Sequence, residues 1–231
     1  GVIKLLQQNG ETIAMRAGEA VELKWALDLD KEKCRASGVE EGSITDQFDD
    51  ILNDDEVDIV VELIGGIEPA FSYIISAMNK GKHVVTANKD LIAVKGQEIF
   101  AAAEANQVDF YFEASVAGGI PIIGPLKQSL AGNRINQVIG ILNGTTNYIL
   151  TKMSREKRNF EDVLAEAQEL GYAESDPTAD VEGLDAARKI AILSSIAFNS
   201  RVTLENVYVE GISKITPEDI KYADELGFII K

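Results

Sequence analysis

The chain has 231 residues, of which 22 are Lys or Arg, 38 are Asp or Glu and one is His, so its formal net charge is −16. This length suffices for one large or two modest domains with a buried core, and 45% apolar with 26% charged residues excludes wholesale disorder. The negative charge argues against nucleic acid or an anionic membrane surface as a partner, because both are bound through basic surfaces.

Cysteine content and hydropathy favour a cytoplasmic protein. The single cysteine, Cys34, cannot form an intramolecular disulfide, and the longest apolar runs are far shorter than the ~20 residues of a membrane span. No basic segment followed by an apolar one opens the chain, so a secretory signal is not indicated. We therefore expect a soluble protein of the cytoplasm.

The first half of the chain alternates helix-like and strand-like segments. The predicted helices are Val2–Gln8, Asp46–Leu52, Glu68–Lys80 and Lys89–Ala105. The predicted strands are Val21–Leu29, Val57–Ile64, His83–Ala87 and Val108–Phe112. Strands separated by helices form βαβ units, so we expect an α/β fold with a doubly wound parallel sheet. The last three strands should lie parallel in one sheet with helices on both faces.

The alternation of helix-like and strand-like segments stops after Phe112. The stretch Glu113–Pro125, which contains Gly and Pro, marks a hinge between domains. Beyond it we predict strands and helices of a mixed α+β unit. The strands are Ile135–Leu142 and Asn206–Ile212, and the helices are Thr146–Met153, Phe160–Gly171, Leu184–Phe198 and one opened by the N-cap Thr216. The expected domains are therefore residues 1–121 and 122–231.

The start of the chain resembles the later part of a phosphate-binding turn. Gly1 is followed at once by a helix, and the next strand ends in Asp28, where a dinucleotide-binding sheet places the acid that holds the ribose hydroxyls. Gly1 would then be the last glycine of a G-x-G-x-x-G turn whose earlier part is absent. Asp28 as a solvated loop acid is an equal alternative.

Several kinds of chemistry find no support in the sequence. One His and one Cys cannot build a zinc site, no P-loop motif occurs, and His83 lies inside an apolar strand rather than in a nucleophilic triad. The informative stretch is Leu170–Ile192, in which Asp185 and Lys189 are four residues apart and share one helical face. Lys189 is therefore either a proton donor tuned by an adjacent carboxylate or one half of a solvated ion pair.

Polar residues also follow two predicted strands directly. Asn88-Lys89 comes after HVVTA, and Asn143-Gly144-Thr145-Thr146 comes after INQVIGIL. Ligands bind at the carboxyl ends of strands in open α/β sheets, and Asn and Thr also favour helix N-caps. Both roles stay open, and they are compatible.

Five segments, in this order, carry a resemblance to a known family. They are VVELIGG (60–66), HVVTANK (83–89), FEASVAGGIP (112–121), GILNGTTNYIL (140–150) and GYAESDP…DVEGLDAARK (171–189). The chain resembles the homoserine dehydrogenases, which interconvert L-homoserine and L-aspartate 4-semialdehyde with NAD or NADP, in the biosynthesis of threonine, methionine and isoleucine. The resemblance implies a Rossmann-type domain, lacking its first strand here, followed by an α+β domain for substrate binding and catalysis.

The resemblance implies roles for individual residues. Lys189 matches the family's proposed proton donor, Asp185 the carboxylate beside it, and Lys89 a lysine near substrate and nicotinamide that is catalytic in some members. Glu174 matches the residue that holds the substrate's amino group. The other implied substrate-binding residues are Tyr172, Asp180, Gly144 and Thr145.

Cofactor and cation sites are implied in the same way. The residues that match the cofactor site are Gly1, Val2, Asp28, Gly65, Gly66 and Lys89. The residues that match a monovalent-cation site (Na⁺ or K⁺), formed largely by backbone carbonyls, are Glu113, Val116, Gly118 and Ile120.

The departures from the family bear on activity and cofactor choice. The family's first strand, and the later segments that complete its dimer interface, have no counterpart between Gly1 and Lys231, so we expect a homodimer only of the full-length protein. The chain alone is at risk of folding poorly or being inactive. Asp28 stands where NADP-preferring members often carry arginine, which favours NAD, although Lys31 and Lys33 lie close. A non-catalytic metabolite sensor and an interaction fragment are the alternatives.

Overall fold

Two short parallel sheets and a set of α-helices make up the computed structural model, which describes residues 1–231. The first sheet pairs β1 (Ala26–Leu27) with β2 (Ile44–Thr45). The second has the order β3 (Ile59–Glu62), β4 (His83–Thr86), β5 (Phe110–Tyr111). All pairs are parallel, with Val60 opposite Val84 and Val84 opposite Phe110. The predicted α/β class and the parallel order of these last three strands are confirmed.

The helices of the first half agree with prediction in place but not in every boundary. They are α1 (Val2–Ala17), α2 (Lys31–Ala36), α3 (Phe48–Leu52), α4 (Ala70–Asn79) and α5 (Lys89–Asn106). Helix α1 continues past Gln8 through a kink at Asn9, and the sequence patterns predict neither α2 nor β2. The predicted strand Val21–Leu29 shortens to β1, because only two of its residues pair with a neighbour.

Helices α4 and α5 pack on one face of the second sheet. Val84 in the central strand packs with Ile74 of α4 and Ile99 of α5, and all three are fully buried. On the alternate positions of the edge strand β3, Ile59 and Val61 remain 50% and 44% exposed. The second face is therefore open at this edge strand, and α1 contributes no buried residue.

The second half is helical. Its helices are α6 (Gly144–Glu156), α7 (Phe160–Glu169), α8 (Thr178–Val181), α9 (Leu184–Ala197) and α10 (Pro217–Glu225). The predicted strands Ile135–Leu142 and Asn206–Ile212 are wrong, because neither segment pairs with a neighbouring strand and Ile139, Ile141 and Tyr208 stay largely exposed. The last helix begins as predicted, with a reciprocal cap between Thr216 and Asp219.

The structure has two hydrophobic cores, and α9 contributes to the first of them. One core lies between the second sheet, α4 and α5, and it takes in Ile192 and Leu193 of α9. The other lies between α6 and α7 around Ile149, Met153 and Val163. The amino-terminal turn of α9 is therefore held next to that of α5. No helix combines the length and apolar character needed to cross a membrane.

Candidate functional site

The Asp185 carboxylate is the centre of a buried polar cluster. Lys189 Nζ donates to its Oδ2 at 2.6 Å, and Lys89 Nζ lies 3.2 Å from its Oδ1. Asn143 Nδ2 donates to Oδ2 at 2.9 Å. The side chains of Asp185 and Lys189 are only 8% and 19% exposed. The cluster thus places two ammonium groups on one desolvated carboxylate.

Electrostatics keep this carboxyl group ionised. Burial alone would raise the pKa of Asp185, but hydrogen bonds from Lys189 and Asn143, together with the charges of Lys189 and Lys89, lower the pKa below its usual range. Asp185 is consequently an anion at neutral pH. Its charge balances one lysine and leaves the cluster of three charged groups with a net positive charge.

Helix α9 places Asp185 and Lys189 one turn apart on the same face, as their spacing predicts. Gly183 precedes the helix with φ +79°, and a Cβ at this position would lie 3.1 Å from the Glu210 carbonyl oxygen. Glycine therefore allows both the turn and the close approach. Because the pair is buried, the alternative of an ion pair on a solvated edge does not hold.

Asn143 is both a helix cap and a partner of the acids. Its Oδ1 accepts the Thr146 N–H at the start of α6, and its Nδ2 donates to Asp180 at 2.7 Å as well as to Asp185. The preceding residue, Leu142, accepts a 2.8 Å hydrogen bond from Lys189 through its carbonyl oxygen. The two roles considered for this segment therefore coexist.

A second polar group lies at the carboxyl ends of β3 and β4. Asn88 caps α5 through the Leu91 N–H and donates to the Gly66 carbonyl oxygen. The buried Glu62 carboxylate accepts from the Gly65 N–H and from the Thr86 hydroxyl. Gly65 and Gly66 have φ of +80° and +70°, with open space where a Cβ would stand. Ligands of α/β proteins bind at this edge of the sheet. Lys89 begins α5 at the same edge, and its side chain contacts Asp185.

The other residues predicted for a cofactor are not gathered here. The Asp28 carboxylate accepts the Asp30 N–H at the end of β1, and the Gly1 carbonyl accepts the Leu5 N–H, with Val2 exposed beside it. None of these groups forms a hydrogen bond with Gly65 or Gly66. Their roles at a cofactor therefore stay predictions.

The predicted substrate residues form a partly connected set. Thr145, next to Gly144, donates its hydroxyl to the Tyr172 carbonyl oxygen at 2.8 Å, and Asp180 is linked to Asp185 through Asn143. Glu174 is exposed, and its carboxylate has no hydrogen-bond partner. It takes no part in the hydrogen bonds and ion pairs of the Asp185 cluster.

At the predicted cation site, the Glu113 side chain is engaged by backbone. It accepts the N–H groups of Ile122, Ile123 and Gly124 at 2.6–2.8 Å. Burial raises the pKa of Glu113, but these three donors outweigh it and the pKa lies below the usual range. The structure holds no cluster of three His, Cys, Asp or Glu side chains fit for a metal. The carbonyl oxygens of Val116, Gly118 and Ile120 accept no hydrogen bond within the chain.

Several residues around the site escape the sequence-based assignment. The sequence indicates Asn143 only as a cap or a strand-end ligand, and it does not single out Glu62 or Thr86. Arg188 Nε lies 3.0 Å from Asp90 Oδ1, immediately beside the Lys89–Asp185 contact. In the sequence, Arg188 lies next to Lys189 and Asp90 lies next to Lys89. This adjacency is the signal that could have suggested the second pair.

These features define an α/β protein with a ligand site at the carboxyl ends of parallel strands, closed by a helix that carries a buried lysine–carboxylate pair. Known proteins narrow this class. The NAD-binding domain of homoserine dehydrogenase matches residues 1–113, and the homoserine dehydrogenase domain matches residues 121–231. The chain belongs to the homoserine dehydrogenase family.

Relatives and solved structures agree with this assignment. The chain is 50% identical over its whole length to homoserine dehydrogenases of Bacillus subtilis and Corynebacterium glutamicum, covering 53% and 52% of them. It superimposes on a homoserine dehydrogenase from Thiobacillus denitrificans with TM-score 0.93 and 52% identity, over 99% of this chain and 53% of that one. A putative homoserine dehydrogenase from Archaeoglobus fulgidus gives TM-score 0.85 and 34% identity, over 99% and 73%. The chain spans about half the length of the curated relatives it matches.

Proposed function

We propose that the full-length protein is an NAD(P)-dependent homoserine dehydrogenase that interconverts L-homoserine and L-aspartate 4-semialdehyde. The observation that carries the proposal is the buried cluster of Lys89, Asp185 and Lys189. It lies where the region matched by the NAD-binding domain meets the region matched by the dehydrogenase domain. This reaction serves threonine, methionine and isoleucine biosynthesis.

The chemistry requires a proton to move with each hydride. A nicotinamide bound beside these residues would supply the hydride chemistry at the carbon that bears the substrate's hydroxyl or carbonyl oxygen. The neutral amine of Lys189 takes the proton from that oxygen and becomes the ammonium, which supplies the proton in the reverse direction. Asp185 stays ionised and fixes the ammonium in place, and Lys89 supplies a second positive charge beside the same oxygen.

Substrate and cofactor contacts are proposed for the remaining matched residues. The Glu174 carboxylate, which has no partner within the chain, is free to hold the substrate ammonium, with Tyr172, Asp180, Gly144 and Thr145 around it. The residues proposed to hold the dinucleotide are Gly1, Val2, Asp28, Gly65, Gly66 and Lys89. Support for the two glycines at the strand ends comes from their open backbone, where a phosphate can approach closely.

A monovalent cation is proposed at the bend after β5. The carbonyl oxygens of Val116, Gly118 and Ile120 accept no hydrogen bond, and such oxygens suit Na⁺ or K⁺. The Glu113 side chain is occupied by three N–H donors, so only its carbonyl oxygen would take part.

The arrangement of the whole protein follows the family. We propose domains at 1–121 and 122–231, supported by the separate matches on either side of residue 121. We also propose a homodimer of the full-length protein, located in the cytoplasm, where the single buried thiol of Cys34 would stay reduced.

The deciding experiment follows the nicotinamide absorbance of the full-length protein with L-homoserine and either NAD or NADP. Homoserine-dependent formation of the reduced cofactor is expected. Binding of either cofactor without any absorbance change would favour a metabolite sensor instead. The same assay on residues 1–231 alone measures whether this part of the protein is sufficient for activity.

A further inference from the structure

One neutral amide lies between two acidic side chains of the site. Asn143 Nδ2 donates one N–H to Asp180 Oδ1 at 2.7 Å and the other to Asp185 Oδ2 at 2.9 Å. We propose that Asn143 is a positioning residue of the active site, whose amide fixes both carboxylates so that Asp185 can hold Lys89 and Lys189 together. The inference rests on the proposed function, because it concerns the same two lysines.

The orientation of this amide is set by its other end. Asn143 Oδ1 accepts the Thr146 N–H at 2.9 Å and lies 3.0 Å from the Thr146 hydroxyl. The backbone N–H can only donate, so Oδ1 must face the helix and Nδ2 must face the acids. The residue is buried, and both ends of its side-chain amide form hydrogen bonds. A helix cap alone would need only the Oδ1 end.

The amide also separates like charges. Asp185 faces Lys189 from its own helix, Lys89 from α5, and Asn143 from the start of α6, with Asp180 of α8 on the far side of the amide. Two carboxylates on one site disfavour each other's ionisation unless donors lie between them. With Asn143 donating to Oδ2, Oδ1 of Asp185 remains available to Lys89. The arrangement therefore gives each lysine its own carboxylate oxygen.

The backbone next to Asn143 acts on the same lysine. The Leu142 carbonyl oxygen accepts from Lys189 Nζ at 2.8 Å, so one short segment contacts Lys189 directly and its counter-ion through the next side chain. A shift of this segment would displace both partners of the lysine together. A misplacement of about 1 Å can reduce turnover about 100-fold.

The test uses Asn143→Asp and Asn143→Ser in the full-length protein. Asp and Ser both keep a capping oxygen, so α6 should still begin at Gly144, whereas both remove the NH₂ group that donates to two carboxylates at once. Asn143→Asp also adds a negative charge. We expect kcat to fall about 10- to 100-fold in Asn143→Asp and less in Asn143→Ser. The acid limb of the pH profile of kcat should move to higher pH in both.

Asn206→Asp is the matched control. Asn206 Oδ1 also accepts the N–H and hydroxyl of a threonine, Thr203, but its Nδ2 donates to no carboxylate. This variant should keep the wild-type kcat and pH profile. Equal kcat and an unmoved acid limb in both Asn143 variants would overturn the proposal, as would an equal effect of Asn206→Asp.

A measurement without turnover separates this inference from the proposed function. Carboxyl ¹³C NMR, with Asp185 assigned through Asp185→Asn, follows the Asp185 titration in each protein. We expect the pKa of Asp185 to rise by about one unit or more in Asn143→Asp. An unchanged Asp185 titration overturns the positioning role even if the enzyme is active. A wild-type protein that titrates as expected but does not oxidise homoserine instead overturns the proposed function.

Discussion

The Asp185 carboxylate contacts two lysines, and the net charge of the site depends on this. An ion pair with Lys189 alone would be electrically neutral, whereas the second contact, to Lys89, leaves one positive charge in excess. In the proposed reaction, Lys89 would stabilise the developing negative charge on an alcohol oxygen whose proton passes to the neutral amine of Lys189. Only a lysine that touches this oxygen can also take the proton. The two lysines are therefore distinguishable by experiment.

Replacing Lys189 with alanine should remove the proton acceptor. We expect kcat for homoserine oxidation to fall about 10²–10⁴-fold, the usual range for a general acid–base group. Lys89→Ala, measured beside it, should lower kcat less, because Lys89 then contributes charge but no proton transfer. Glu174→Leu should instead raise KM for homoserine. The measurement is steady-state kinetics across pH with the full-length protein.

Lys221→Ala is the matched control for Lys189, since Lys221 forms an i,i+4 pair with Glu225 on a solvated helix. It should leave kcat unchanged. If Lys189→Ala kept the wild-type kcat at every pH while Lys89→Ala lost it, the proton role would belong to Lys89.

We predict that the end of β1 decides the preference between NAD and NADP. Asp28 is placed to favour a ribose diol, and the two nearby lysines are engaged, Lys31 with Asp46 at 3.2 Å and Lys33 with Asp30 at 3.8 Å. Both pairs are exposed and therefore weak, so these lysines moderate the preference that Asp28 favours. We expect kcat/KM with NAD to equal or exceed that with NADP. A hundredfold preference for NADP, about 2.7 kcal/mol, would contradict this.

At the scale of elements, Glu113 ties the end of the first half to the turn that follows it. Its carboxylate accepts three successive N–H groups, Ile122 to Gly124, which lead into the π-helical turn Pro125–Ser129. A Cβ at Gly124 would lie 3.2 Å from Oε2 of this carboxylate, so a larger residue there would have to displace Glu113 slightly. The predicted hinge is thus fixed by one side chain.

Glu113→Ala should lower the free energy of unfolding by about 2 kcal/mol at neutral pH, because it leaves buried N–H groups without a partner. The pKa of Glu113 is lower in the folded state, so its stabilisation is complete above the unfolded pKa and is lost as pH falls through the folded pKa. Urea unfolding at neutral and acidic pH measures this. Glu161→Ala, at an exposed first-turn position of α7, is the control. A deficit that stays constant down to pH ~3 would contradict the assignment.

Elements with an internal signal were predictable from the sequence, and elements that depend on a partner were not. Thr216-Pro217 begins α10 because its caps are local, and the β-branched run in β3 pairs with β4 inside the chain. The segment 135–142 has the same apolar, β-branched character, but no neighbouring strand accepts its hydrogen bonds. At the site, the i,i+4 spacing predicts the pairing of Asp185 with Lys189, whereas the contact with Lys89 joins two distant parts of the chain and needs the fold.

At the scale of the whole molecule, α9 joins the two halves through apolar and charged contacts. Ile192 and Leu193 enter the core under the second sheet, while two ion pairs connect the first turns of α9 and α5. The pairs have opposite polarity, because Lys89 meets Asp185 and Asp90 meets Arg188. This alternation fixes the register between the helices, since sliding one helix past the other brings like charges together.

The Asp90–Arg188 pair can be tested by unfolding instead of turnover, because the side chain of neither residue forms a hydrogen bond or ion pair with Asp185 or Lys189. Asp90 Oδ1 is buried and has no hydrogen-bond donor in good geometry, so the Arg188 guanidinium is its compensating charge. A double-mutant cycle of Asp90→Ala and Arg188→Ala, followed by urea unfolding, should give a coupling energy of about 0.5–1 kcal/mol, as expected for a partly exposed pair. High salt should reduce the coupling.

The reversed pair, Asp90→Arg with Arg188→Asp, separates register from simple attraction. The exchanged charges still attract each other, but the guanidinium would then lie beside Lys89 on α5 and the carboxylate beside Asp185 on α9, so each first turn would carry two like charges. We expect the double reversal to recover part of the unfolding free energy that each single reversal loses. We expect its kcat to remain below that of the wild type. Full recovery of kcat would show that the alternation of charge does not set the register of the two helices. A coupling energy of zero in the alanine cycle would show that the Asp90–Arg188 pair does not stabilise the contact between α5 and α9. The apolar contacts of α9 alone would then hold the two halves together.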